Sequence, residues 1–170
     1  MKKRILKTTV EVYASEKELS LVDQKLLKKA KQALKKSYSP YSNFKVGAAI
    51  LLNNGKMMSG SNQENASYPL CLCAERVTIS AADSVYPKIP ILAMAITAKS
   101  PTQTIIQPVA PCGACRQVIF ETEMKHDTPM RILLQGEKGK VYIIEGAKDL
   151  LPLSFDAVSY THLRAHETKA

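Results

Sequence analysis

At 170 residues the chain has the length of one domain, and a domain of that size buries enough surface to hold a core without disulfides. Hydrophobic residues make up 45% and charged residues 23%, which excludes disordered, collagen-like and coiled-coil classes, and no apolar run approaches the roughly 18 residues of a membrane span. The formal charge of +9 lies mostly in one segment: residues 1–36 hold 11 basic and 4 acidic side chains, whereas the rest of the chain holds 13 and 11.

Met1-Lys2-Lys3-Arg4 is basic, but Ile5-Leu6 gives way at once to Lys7. That is not the apolar stretch of a signal peptide, so a cytoplasmic protein is expected. Val10-Glu11-Val12-Tyr13 alternates as a strand does. Ser15 followed by Glu18 has capping-box spacing and predicts a helix from Glu16 to about Lys36. Its apolar positions are Leu19, Val22, Leu26, Ala30, Ala33 and Leu34, and its lysines read as the solvated face of an amphipathic helix. With no aromatic platform among those lysines, a nucleic-acid partner is not expected.

Residues 37–43 form a polar, Pro-containing loop. Lys45 to Leu52 reads as a buried strand, Asn53-Asn54-Gly55 as a hairpin turn, and Lys56 to Ser61 as the returning strand. A helix is predicted from about Cys73 to Asp83, a strand over Ile91–Ala98, a helix over Cys112–Met124 behind Pro111, and strands over Met130–Gln135 and Lys140–Glu145. This order predicts α/β layering, a mixed sheet with helices on both faces. Asp156 to Ala170 is polar and aperiodic, and residues 158–168 read as translated sequencing-adaptor sequence. The tail is therefore taken as non-native or disordered, outside a single domain spanning 1–155, and the pair His162 and His166 is set aside as a metal site.

All four cysteines fall in two clusters, Cys71-Leu72-Cys73 and Cys112-Gly113-Ala114-Cys115. In a cytosolic chain this points to metal or redox chemistry rather than structural disulfides. Three readings are open: a thioredoxin-like Cys-x-x-Cys pair, a four-cysteine structural zinc site, or three cysteines holding a catalytic zinc with the fourth position open to water. Glu75 favours the third. A carboxylate beside an open zinc position can take a proton from the bound water, whose pKa zinc lowers to about 7, and a structural site has no use for it. Cys73, Cys112 and Cys115 lie where predicted helices begin, and helix N-termini favour thiolate. Arg76 is placed to hydrogen-bond those sulfurs and draw off part of their charge.

Cys73-Ala74-Glu75-Arg76, with Pro111-Cys112-Gly113-Ala114-Cys115-Arg116-Gln117 further on, resembles the zinc-dependent cytidine deaminases, and the three-cysteine set resembles their short, homotetrameric type. The likeness runs from about Leu19 to Phe155. It implies a three-layer α-β-α fold on a mixed five-stranded sheet. It also implies one Zn²⁺ per subunit on Cys73, Cys112 and Cys115, with zinc-bound hydroxide attacking C4 of the base and Glu75 shuttling protons. The expected reaction is hydrolysis of cytidine and 2′-deoxycytidine to uridine and 2′-deoxyuridine with release of ammonia, in pyrimidine salvage.

The flanking segments carry the implied substrate contacts. Tyr41-Ser42-Asn43-Phe44-Lys45-Val46-Gly47-Ala48-Ala49 is similar to the segment whose Phe packs on the pyrimidine, which makes Phe44 the stacking residue. Asn62-Gln63-Glu64-Asn65-Ala66 resembles the ribose-holding segment, so Asn62 and Glu64 are expected at a sugar hydroxyl. Tyr68 and the Ala74 backbone match groups near the base carbonyl. Cys71 matches a cysteine that is not a ligand and reads as a small buried side chain. Leu150-Leu151-Pro152-Leu153-Ser154-Phe155 resembles the C-terminal signature whose Phe reaches a neighbouring subunit's site.

Three rival functions remain. A blasticidin-S-type deaminase shares the three-cysteine site, but the full hairpin, Phe44 and the C-terminal signature favour the cytidine deaminases. Nucleic-acid editors typically place His where this chain has Cys73. A non-enzymatic zinc module leaves Glu75 unexplained. A homotetramer is implied by the resemblance, and the apolar runs Ile50-Leu51-Leu52 and 150–155 suggest more apolar surface near the site than one subunit covers.

Overall fold

The structure, a computed structural model, describes residues 1–156. The predicted tail therefore lies almost wholly outside the described residues. One mixed sheet organises the molecule: β1 (Glu11–Tyr13), β2 (Lys45–Leu52), β3 (Met57–Ser61), β4 (Ile91–Lys99), β5 (Arg131–Gln135) and β6 (Val141–Ile144), in spatial order β1-β6-β5-β4-β2-β3. Only β4 and β5 run parallel; every other neighbouring pair is antiparallel. The sheet has six strands where five were expected, because Glu11–Tyr13 adds to the β6 edge. Glu11 and Val12 are exposed there, so this strand is held mainly by its backbone ladder.

Alternation along the strands sends apolar side chains to both faces. Ile50, Leu52, Met94, Ile96, Ile132, Leu134 and Ile144 pack against α2 (Ala74–Val85), α3 (Gly113–His126) and the short α4 (Ala147–Leu150). Ala49, Ala93, Ala95, Leu133, Val141 and Ile143 pack against α1 (Leu21–Ala33). The face toward α1 is built of small residues in its centre, and Gly47 shows why. A Cβ there would stand 2.2 Å from the Ala30 carbonyl oxygen, so any side chain would push α1 off the sheet. Ile50 and Leu52 are fully buried in the subunit's own core, while Leu51 between them is half-buried on the other face.

The first helix departs from expectation. Ser15 does cap a turn, accepting the Lys17 N–H at 3.3 Å, but that turn is a single 3₁₀ turn, Glu16–Glu18. Leu19 then becomes extended and inserts into the core at 6% exposure. The chain restarts the helix from a second cap, Ser20, whose oxygen accepts the Asp23 N–H at 3.2 Å. Buried Asp23 in turn accepts both terminal nitrogens of Arg131 at 3.3 Å, tying the start of α1 to β5. The hairpin forms as predicted, with Gly55 at φ 78° in the left-handed region that the turn requires.

Candidate active site

Two helices begin at sulfur. Cys73 is the N-cap of α2 and Cys112 the N-cap of α3; both have extended backbone, and neither side chain is used to cap its helix. Cys115 is fully buried in the first turn of α3. Cys73 and Cys112 Sγ are 3.9 Å apart, Cys112 and Cys115 Sγ 3.4 Å, and all three sulfurs lie within 4.8 Å of one another. A tetrahedral zinc with Zn–S bonds of about 2.3 Å holds its sulfurs about 3.8 Å apart, so the cluster has the donor type and the spacing for that ion. Hydrogen bonds from Cys115 and then Cys112, with the charge of Arg76, outweigh burial and lower the Cys73 pKa to about 6. The Cys115 thiol is pushed far up, because it holds the proton that it donates to Cys73 and because it is buried.

Glu75 lies in the first turn of α2 at 4% exposure. Burial raises its pKa above the usual carboxylate range; the charge of Cys73 adds to this, while its own backbone N–H, the Cys115 thiol and Arg76 pull the other way. Arg76 is half-buried and acts on Cys73 and Glu75 through its charge. It makes no hydrogen bond to the sulfurs among the described residues.

A cavity of about 330 Å³ opens over this cluster. Cys73, Cys112 and Glu75 line it together with Phe44, Asn62 and Glu64, so six of the predicted site residues meet in one place. Val46, Leu72 and Ile96 give it apolar walls, and Val109 and Ala110 close it from the loop before the second cysteine motif. Asn62 is mostly committed to the protein. Its Oδ1 accepts the Ser37 hydroxyl at 2.6 Å and the Val46 N–H at 2.8 Å, and its Nδ2 donates to the Phe44 carbonyl at 2.9 Å. One amide proton is left for a ligand. Glu64 stays ionised: the Ser42 hydroxyl, followed by the backbone N–H groups of Tyr41 and Ser42, holds its carboxyl below the ordinary range against some desolvation.

The other predicted residues stand outside this cavity. Ala74 is fully buried at the start of α2. Tyr68 is 70% exposed and makes an edge contact with Tyr41 at 6.0 Å, in a shallower hollow that shares Glu64 and Cys71 with the main one. Phe155 is 61% exposed, and its carbonyl accepts Gln117 Nε2 at 2.9 Å. It does not line its own subunit's cavity among the described residues. Cys71 is half-buried rather than buried. It lines the cavity because its thiol is engaged by the 65–71 loop, accepting the Asn65 N–H at 3.3 Å.

Arg116 was missed as a support residue. It donates from Nε to the Pro111 carbonyl and from Nη1 to the Leu150 carbonyl, both at 2.9 Å, which pins the ligand loop to the end of α4. Its place beside Cys115 was a visible signal, but backbone carbonyls as partners leave no mark in a sequence.

The comparisons agree with this geometry. Residues 21–127 match the family model described as cytidine and deoxycytidylate deaminase zinc-binding region. The cytidine deaminase of Halalkalibacterium halodurans is 42% identical over 135 residues, covering 79% of this chain and 94% of that protein. That of Sporosarcina psychrophila is 39% identical over 132 residues, covering 78% and 90%. The crystal structure of cytidine deaminase from Burkholderia pseudomallei superposes with a TM-score of 0.66 at 42% identity, over 77% of this chain and 97% of that one. Two cysteine-led helices, a buried glutamate in the first turn of one of them and agreement along nearly the full length of these relatives have one explanation: the chain belongs to the cytidine and deoxycytidylate deaminase family.

Proposed function

We propose that the chain is a zinc-dependent hydrolase that converts cytidine and 2′-deoxycytidine to uridine and 2′-deoxyuridine and releases ammonia. One observation carries this reading: two sulfurs of a three-cysteine cluster and a buried glutamate line a cavity of about 330 Å³ together with an aromatic ring and two polar groups suited to a sugar. Cys73, Cys112 and Cys115 would hold the zinc ion, which when bound would lower the pKa of a water at its open position. Glu75, buried and adjacent to the cluster, carries one proton of the attacking water to N3 of the base and then the proton of the new C4 hydroxyl to the exocyclic amine, so that the C4–N bond breaks as the C4 carbonyl forms and ammonia leaves. Phe44 stacks on the pyrimidine, Asn62 and Glu64 bind the sugar, Tyr68 and the Ala74 backbone stand near the base carbonyl, and Arg76 tempers the charge of three thiolates on one dication. Residues 1–155 form the single catalytic domain.

The substrate range follows from Glu64. Its carboxylate is ionised, so a nucleotide's phosphate meets like charge, and free cytosine leaves the sugar-binding groups unpaired. Purified protein is expected to release ammonia from cytidine and 2′-deoxycytidine at least about 100-fold more efficiently than from CMP or cytosine. Blasticidin S in the same assay separates the rival deaminase activity. Comparable efficiency on CMP and cytidine overturns the assignment.

Assembly as a homotetramer, with Phe155 walling a neighbour's site, is supported by where apolar surface remains. Leu153 is 82% exposed, Phe155 61% and Leu70 64%. A small nucleoside needs a closed, dry pocket, and one subunit leaves this one partly open. Light scattering should give four subunits, unchanged by removal of residues 156–170, whereas removing Phe155 as well should raise KM. A fully active monomer refutes the shared site. A role in pyrimidine salvage, in the cytoplasm, fits a nucleoside substrate. Among the described residues no helix is long and apolar enough to cross a membrane.

A further inference from the structure

The carboxylate of Glu64 is aimed by a neighbour outside the expected set. Its Oε2 accepts the Tyr41 N–H at 2.9 Å and the Ser42 N–H at 3.3 Å, and its Oε1 accepts the Ser42 hydroxyl. The same hydroxyl accepts the Phe44 N–H at 2.9 Å. A serine hydroxyl has one proton and two lone pairs, so Ser42 gives its proton to the sugar-side carboxylate and a lone pair to the peptide of the base-side ring. Asn43, between them, sits at φ 54° and donates its N–H to the Ser39 carbonyl at 2.9 Å, which makes the turn that brings Ser42 back onto Phe44. A carboxylate has about four acceptor positions, and three are filled, leaving one on Oε1. Ser42 itself does not line the main cavity, whereas Glu64 and Phe44 do.

We propose that Ser42 is a positioning residue that sets the sugar requirement of the enzyme: its hydroxyl fixes the direction in which Glu64 presents its remaining lone pair to the ribose, relative to the ring of Phe44. This rests on the reading of Glu64 as a sugar ligand. The Phe44 ring does not depend on Ser42 alone, because Asn62 also holds the Phe44 carbonyl. Losing the hydroxyl should therefore disturb the sugar side more than the base side.

The test is steady-state kinetics of the zinc-loaded enzyme on cytidine and on 2′,3′-dideoxycytidine, which lacks both ring hydroxyls. Ser42→Ala is expected to raise KM for cytidine about tenfold while kcat stays within about twofold, the effect of one lost hydrogen bond to a charged group. Efficiency on 2′,3′-dideoxycytidine should barely change, and Ser42→Thr should restore cytidine binding. Added to Glu64→Ala, Ser42→Ala should lower cytidine efficiency no further. Equal losses on both substrates, or a further loss in the Glu64→Ala background, would make Ser42 a general loop support and overturn the proposal. If Glu64→Ala alone leaves the preference for cytidine over the dideoxynucleoside intact, the sugar-ligand reading fails and takes this proposal with it.

Discussion

Glu75→Gln is expected to keep the fold and the zinc and to lose about 10⁴-fold or more in turnover. A single general acid–base group typically contributes about 10²–10⁴-fold, and a residue that serves several proton transfers contributes more. The substitution keeps size and shape but removes the ability to accept and return a proton. Its effect on stability should run the other way. Glu75 is 4% exposed and its carboxylate is desolvated, so a neutral amide in the same place relieves part of the cost of burying charge. Unfolding temperature should hold or rise while activity collapses. That divergence marks a group retained for chemistry at the expense of stability. Substantial turnover in Glu75→Gln, measured as ammonia release with zinc content confirmed, rules out the shuttle role.

The sequence carried the site further than it carried the fold's details. Cysteine spacing, a glutamate two residues after Cys73 and Pro111 before the second motif are local features, and the structure turns each into the N-terminus of a helix with its sulfur near the others. The hairpin was legible for the same reason, since Asn53-Asn54-Gly55 encodes its own turn. The start of α1 was less so. Ser15–Glu18 and Ser20–Asp23 both have cap spacing, and the choice between them is made by Leu19, which the core takes in and which thereby breaks the helix. The strand at Glu11–Tyr13 was legible from its alternation, but its place as a sixth strand depended on a partner edge 130 residues away. The supports of the site were hidden for a related reason. Asn62 joins Ser37, Phe44 and Val46, and Arg116 joins Pro111 to Leu150; such bonds exist only once distant segments have been folded together.

Metal content separates the four cysteines. Wild-type protein is expected to carry one zinc per subunit, Cys71→Ser the same, and Cys115→Ala little or none. Cys71 is engaged with Asn65 and lies outside the group of sulfurs close enough to share an ion. Cys115 is fully buried, 3.4 Å from Cys112, and no described His, Asp or Glu can replace it in that group. With two thiolates left the site loses a third of its anionic donors, and zinc affinity in sites of this kind depends steeply on ligand count. Stability should fall with the metal. An ion on these sulfurs would link the N-termini of α2 and α3 and would bind only when both helices are docked on the sheet, and anything that binds the folded state alone raises its unfolding temperature. A chelator should therefore lower the unfolding temperature of wild type and of Cys71→Ser but leave that of Cys115→Ala where it is. Loss of zinc from Cys71→Ser would instead mean a closed four-cysteine structural site, with no open position for water and no role for Glu75.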